Sequence, residues 1–218
     1  MRYLVVCFAL VAFSASLAGA EVFWFEVENF DEELSNLTYA EKGLNVVWHI
    51  KDDKFAFGGK YMSATGGDRD IQEAAAGLVY LLPEVEKNTG WKIWINSIMP
   101  TTGSDSFFWQ LSEDGGEKWG AATAAHGGAV WFDWEWHSWD IGQIPKGDEN
   151  ALRIAERESN AALDLICLRN DDMVPTAEEY EAFLAEEAAK PKPGEAVDAR
   201  GKRTDVWGRI KSSVSAER

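Results

Sequence analysis

Apolar and polar residues alternate in short runs along most of this chain, and helical periodicity is almost absent before residue 176. Val22-Phe-Trp-Phe-Glu-Val-Glu28 alternates over seven residues and ends in carboxylates, which predicts a half-buried strand. Further strands are predicted at 46–50, 77–82, 90–99, 106–111, 129–136, 150–155 and 162–168, each bounded by Gly, Asp, Asn or Pro signals. Many short strands joined by turns predict an all-β fold, a β-sandwich. Two Gly-rich stretches, 57–70 and 115–128, read as ligand loops or long connections. Beyond Pro175 the pattern changes. Thr176-Ala-Glu-Glu179 is a capping box, and residues 177–190 are expected to form a short helix. Residues 191–218 begin with a stiff Pro-rich linker and end as a locally basic, flexible tail.

Residues 1–20 read as a secretory signal peptide: Arg2, an apolar run to Phe13, and small residues closing on Ala18-x-Ala20. Cleavage after Ala20 makes Glu21 the first mature residue and leaves Cys167 as the only cysteine, so no internal disulfide is expected. The expected location is secreted, periplasmic or cell-surface. The domain is then 21–176. The 218 residues carry 37 Asp+Glu against 21 Lys+Arg, a net charge of −16. Such a surface repels nucleic-acid phosphates and anionic membranes, and no stretch is long and apolar enough for an integral membrane protein. Eleven Trp exceed ordinary usage and hint at ring-stacking ligands, with core packing as the competing use.

Glu26 and Glu28 stand at i and i+2 of a strand, so they share one face with Cβ atoms about 7 Å apart. Like charges held together call for a counter-charge, and Ca²⁺ accepts oxygen ligands of this kind. Asp164 is alone in an apolar strand and should be paired or metal-bound. If the first and last strands are neighbours, the three acids meet, with carbonyls from 66–71 completing the shell. The competing reading leaves Glu26 and Glu28 solvated on an edge strand.

The motifs arrive in a known order. Glu26-Val-Glu28, then 77–83 with Gly90-Trp-Lys-Ile-Trp-Ile95, Ser106-Phe-Phe-Trp109, Trp134-x-Trp136, and Leu163-Asp-Leu-Ile-Cys-Leu-Arg-Asn-Asp171 before Pro175, together resemble the calcium-binding carbohydrate-binding modules of the galactose-binding-domain-like superfamily. The resemblance covers most of residues 21–176. It implies a jelly-roll β-sandwich with a structural Ca²⁺ held by Glu26, Glu28 and Asp164. It also implies a polysaccharide or glycan partner met by aromatic rings and an Asn in the loop after the last strand. Asn170 matches that Asn, and Trp119 and Trp136 are the candidate rings. A Trp ring offers a flat apolar platform to a sugar's C–H face, and an Asn amide reads adjacent hydroxyls. Trp24, Trp48, Trp91, Trp94 and Trp109 are assigned to the core.

The reading is a non-catalytic binding module. One alternative is a cell-surface interaction module that has lost sugar binding. Another is a small glycoside hydrolase using Asp133 and Glu135, but adjacent acids on one strand face lack a partner across the scissile bond. The three histidines have no compact metal spacing, and no nucleophile elbow or phosphate loop is present.

Overall fold

The structure is a computed structural model, described for residues 20–40, 45–66, 76–87, 89–127 and 130–189. The expected signal peptide up to residue 19 and the expected linker and tail, 191–218, lie outside these residues, as do positions 67–71 of the expected carbonyl shell. The chain divides between Val174 and Pro175 into two compact units.

In chain order the first unit contains β1 (Val22–Glu26), β2 (Thr38–Tyr39), β3 (Val46–Asp52), β4 (Lys60–Thr65), β5 (Gly77–Leu81), β6 (Trp91–Met99), β7 (Ser106–Ser112), β8 (Thr123–His126), β9 (Trp131–Gly142), β10 (Ala151–Glu156) and β11 (Ala162–Arg169). They form two antiparallel sheets. The larger has seven strands in the order β2-β3-β4-β11-β6-β9, with β1 also paired to β11, and the smaller runs β5-β10-β7-β8. This is an all-β sandwich, as the alternation predicts. First and last strands are neighbours, with Val22 opposite Arg169 and Glu26 opposite Leu165. The second unit contains α1 (Ala177–Ala189). Its capping box is closed: Glu179 N–H donates to Thr176 Oγ1, and Thr176 N–H donates to Glu179 Oε2.

The core lies between the sheets. Met62, Trp91, Ile93, Ile95, Leu163, Ile166 and Leu168 come from the larger sheet, and Leu78, Phe107, Trp109, Leu152 and Ile154 from the smaller. Burying residues of this size contributes about 1.5–3 kcal/mol each before chain entropy is counted. Trp91 fixes its ring by stacking on Phe23 at 5.2 Å and donating Nε1–H to Lys87 O.

Two expectations change. The Gly-rich stretch 57–70 contains β4, whose Met62 and Ala64 face the core. Thr123–His126, inside the second expected loop, pairs with β7. Both strands carry small or polar residues on the other face, which weakens the apolar period that marks a strand. A third difference concerns the tryptophans. Phe23 and Phe25 pack on the core, so Trp24, between them, points to the opposite face of the larger sheet, and alternation with Ile93 and Ile95 sends Trp94 there too. Both are only 8% exposed, so they are buried outside the inter-sheet core.

Candidate functional site

The end of β1 brings acids together. Tyr80 O–H donates to Val27 O and Val27 N–H to Asp164 O, which ties the turn after Glu26 to β11. Asp164 stands at a β-bulge, where the register with β6 shifts between Leu163 and Leu165. A bulge re-aims a side chain. Asp164 is 1% exposed, and its Oδ2 accepts the Phe57 N–H at 2.9 Å. Phe57–Gly59 is a single turn in the β3–β4 connection. A Cβ placed on Gly58 (φ +66°) would stand 3.2 Å from Glu26 Oε1 and 3.8 Å from Glu28 Oε1. The three predicted carboxylates therefore gather around this turn.

Their electrostatics are unfavourable. Burial pushes the Asp164 carboxyl up to about 8. The Phe57 N–H opposes the shift, and Glu28, Glu26 and Asp53 add to it. Glu28 is also raised, first by burial, while its own backbone N–H lowers it, Glu26 raises it and Lys60 lowers it. Glu28 Oε2 is buried without a hydrogen-bond partner. Among the described residues, no group of three or more His, Cys, Asp or Glu side chains is placed to hold a metal ion. The acids are gathered without being closed into one ligand shell. An orphaned buried carboxylate oxygen and an excess of like charge nonetheless fit a hard, oxygen-seeking cation.

The same connection reaches an aromatic face. Trp139 and Ile141 of β9 pack on the core, so Trp134 and Trp136 point outward from the larger sheet. Trp136 meets Trp24 edge-on at 6.0 Å and lies 6.2 Å from Phe57, and Trp134 meets Tyr61 at 5.4 Å. Trp134 Nε1–H donates to Asp53 Oδ2 at 3.3 Å. Beneath the row, Trp94 Nε1 and Asn96 Oδ1 are buried and unpaired. The row ends in an open groove of about 340 Å³ lined by Asp53, Phe55, Ile98, Phe132, Asp133 and Trp134. Phe55 and Phe132 are each 73% exposed.

The predicted sugar contacts are dispersed. Trp136 belongs to the aromatic row. Trp119 belongs with the smaller sheet, where its ring covers the Arg153 guanidinium at 4.4 Å. Arg153 donates to Gln110 Oε1, and burial lowers its pKa. Asn170 follows β11. Its Oδ1 accepts Glu21 N–H at 2.9 Å, and it borders a cleft of about 500 Å³ with Glu86, Lys87, Thr89, Lys146 and Asp171. Among the described residues, no hydrogen bond or ring contact joins Trp119, Trp136 and Asn170 to one another. Asp133 lines the groove, whereas Glu135 is not among the lining residues and approaches His137 Nε2 at 3.7 Å. His137 is lowered by burial, with Glu135 opposing.

Asp53, Phe55 and Phe132 were not predicted as site residues. For Asp53 and Phe55 the available signal was two phenylalanines in a polar turn, Asp52-Asp-Lys-Phe-Ala-Phe-Gly-Gly59, where no core needs them, and for Phe132 its place two residues before Trp134 in the Trp-rich stretch 131–136.

No protein-family model matches the chain, and no curated protein matches it. Among solved structures, it is similar to the C-terminal CBM6 of LamC, a marine laminarinase from Zobellia galactanivorans. Identity there is 11% and the TM-score 0.39, over 68% of this chain and 98% of that one. It is also similar to a family 35 carbohydrate binding module from Clostridium thermocellum, with 15% identity and a TM-score of 0.42, over 67% and 97% of the two chains. Identities this low and TM-scores below 0.5 assign no function.

Proposed function

We propose that this chain is an exported, non-catalytic carbohydrate-binding module. Its polysaccharide or glycan lies along the outward aromatic face of the larger sheet and enters the groove between Phe55 and Phe132. The carrying observation is the exposure of those two rings beside Trp134 and two carboxylates. Large rings left in water at an open groove are the surface a pyranose face covers, and the carboxylates accept hydroxyl hydrogen bonds at its rim. Trp136 supports this row through Trp24 and Phe57.

Glu26, Glu28 and Asp164 would hold a structural Ca²⁺. When bound, the ion would supply positive charge to carboxylates that crowd one another, of which Glu28 keeps a buried oxygen without a hydrogen-bond donor. The residues themselves already tie together the end of β1, the bulge of β11 and the β3–β4 turn. That turn carries Asp53, Phe55 and Phe57, so ordering it also orders one wall of the groove.

Affinity electrophoresis through gels containing neutral, acidic or basic polysaccharides tests the reading. The folded protein is expected to be retarded by at least one of them, and Phe132→Ala is expected to remove the retardation while keeping the melting temperature. Folded protein retarded by none overturns it.

A further inference from the structure

The groove's charge narrows its ligand, and this step rests on the carbohydrate reading above. Among the described residues its polar lining side chains are Asp53 and Asp133, and no basic residue lines it. The apolar lining is aromatic for three of four residues: Phe55, Phe132 and Trp134, with Ile98. Carboxylates between exposed ring faces attract a cation twice, by charge and by the ring quadrupole. The protein shows the second attraction within the same turn, where Lys54 Nζ stands 4.6 Å from the Phe55 ring centroid. Trp134 Nε1–H already donates to Asp53 Oδ2, which holds that carboxylate at the groove. A uronic acid would meet two like charges there. A neutral sugar would leave the charge complementarity unused.

From this juxtaposition of Asp53 and Asp133 with the exposed rings of Phe55 and Phe132, we infer that the groove selects a saccharide bearing a free, protonated amine, an amino sugar without its acetyl group. The ring face of the sugar lies on an aromatic side chain, and its ammonium group points at the carboxylates. The N-acetylated form lacks the charge. A polyamine or a lysine-rich peptide shares the charge but lacks the pyranose face.

The test is calorimetric titration of the full chain, in mildly acidic buffer, with glucosamine oligomers, N-acetylglucosamine oligomers, neutral β-glucan oligomers, uronic-acid oligomers and polylysine. The amine form is expected to bind about tenfold more tightly than its acetylated counterpart, with the difference shrinking as salt rises. Asp133→Asn is expected to erase most of that preference by weakening binding of the amine form far more than binding of the acetylated form. Asp133 is exposed, so this variant is expected to fold. Phe132→Ala is expected to weaken both sugars. Equal binding of amine and acetylated forms, or tighter binding of neutral or acidic oligomers, overturns the inference while the carbohydrate reading stands. Binding of polylysine alone, or of nothing, overturns both. An amine preference that persists unchanged in Asp133→Asn overturns the assignment of the groove.

Discussion

Glu21 and Glu28 lie just outside the two ends of β1, and their surroundings are opposite. At the first end, Glu21 Oε1 accepts Glu86 N–H and Oε2 accepts Lys87 N–H, each at 2.7 Å, and the Asn170 amide stands at 3.4 Å from Oε2. Asn170 in turn accepts the Glu21 N–H and donates its own backbone N–H to Glu21 O. Every part of that residue is answered by protein. At the other end, Glu28 has a buried oxygen with no donor, and Asp164 has one backbone N–H set against neighbouring negative charge. One strand therefore carries a finished carboxylate clasp and an unfinished one. The finished clasp contributes stability by itself, whereas the unfinished one costs stability unless a proton or a cation arrives.

The sharpest way to break this comparison is to supply the cation. Calcium at about a hundred times its dissociation constant is expected to stabilise the fold by about 2.7 kcal/mol, read as a rise of about 5–10 °C in melting temperature that chelator reverses. An unchanged melt removes calcium from the account. The proton gives a second handle. Asp164 is raised from 3.8 in its ordinary state to about 8 in the fold, so the folded state holds a proton that the unfolded chain releases. Its contribution is fully present below pH 4 and is lost as the pH climbs through about 8. Glu28 shifts in the same direction. In chelator, the melting temperature is expected to fall across that window, and Asp164→Asn is expected to flatten the fall and abolish the calcium response.

The finished clasp should answer differently. Glu21→Ala is expected to cost about 1–2 kcal/mol, or about 2–8 °C, with no change in the calcium-induced shift. Hydrogen exchange should locate the loss at the Glu86 and Lys87 amides. The smallest effect is expected at Gly58, where alanine combines a left-handed backbone with a Cβ 3.2 Å from Glu26 Oε1. Gly58→Ala should cost about 1 kcal/mol in chelator and weaken calcium binding measured by titration.

These contrasts were unevenly legible in the sequence. Short β-rich runs bounded by turn signals located β1, β5, β6, β7, β10 and β11 to within two residues, although β11 is buried along its whole length and shows no clean alternation. Glu26, Glu28 and Asp164 stood out because ionised groups in apolar strands demand an explanation. The bulge that aims Asp164 did not, since a register shift is decided by pairing with β6 and leaves no mark in β11 alone. Trp24 and Trp94 show the same limit. Their burial was readable, but whether a ring is buried between the sheets or across the far face depends on which neighbours lean over it. Asn170 illustrates another. A side-chain amide after a last strand serves a sugar or the chain's own backbone equally well, and only the position of Glu21 shows which bond it makes here.

The pairing of β1 with β11 also sets how the sandwich bears load. Val22 lies opposite Arg169, so the start of β1 and the end of β11 meet at the same end of their seam, with the Glu21–Asn170 contact as the outermost link. Tension between segments attached before Glu21 and after Asn170 falls on that link and then on one ladder bond after another. The seam is pulled open like a zipper and is never sheared along its whole length. A tethered copy of this domain should therefore yield at low force and re-close readily when the pull relaxes.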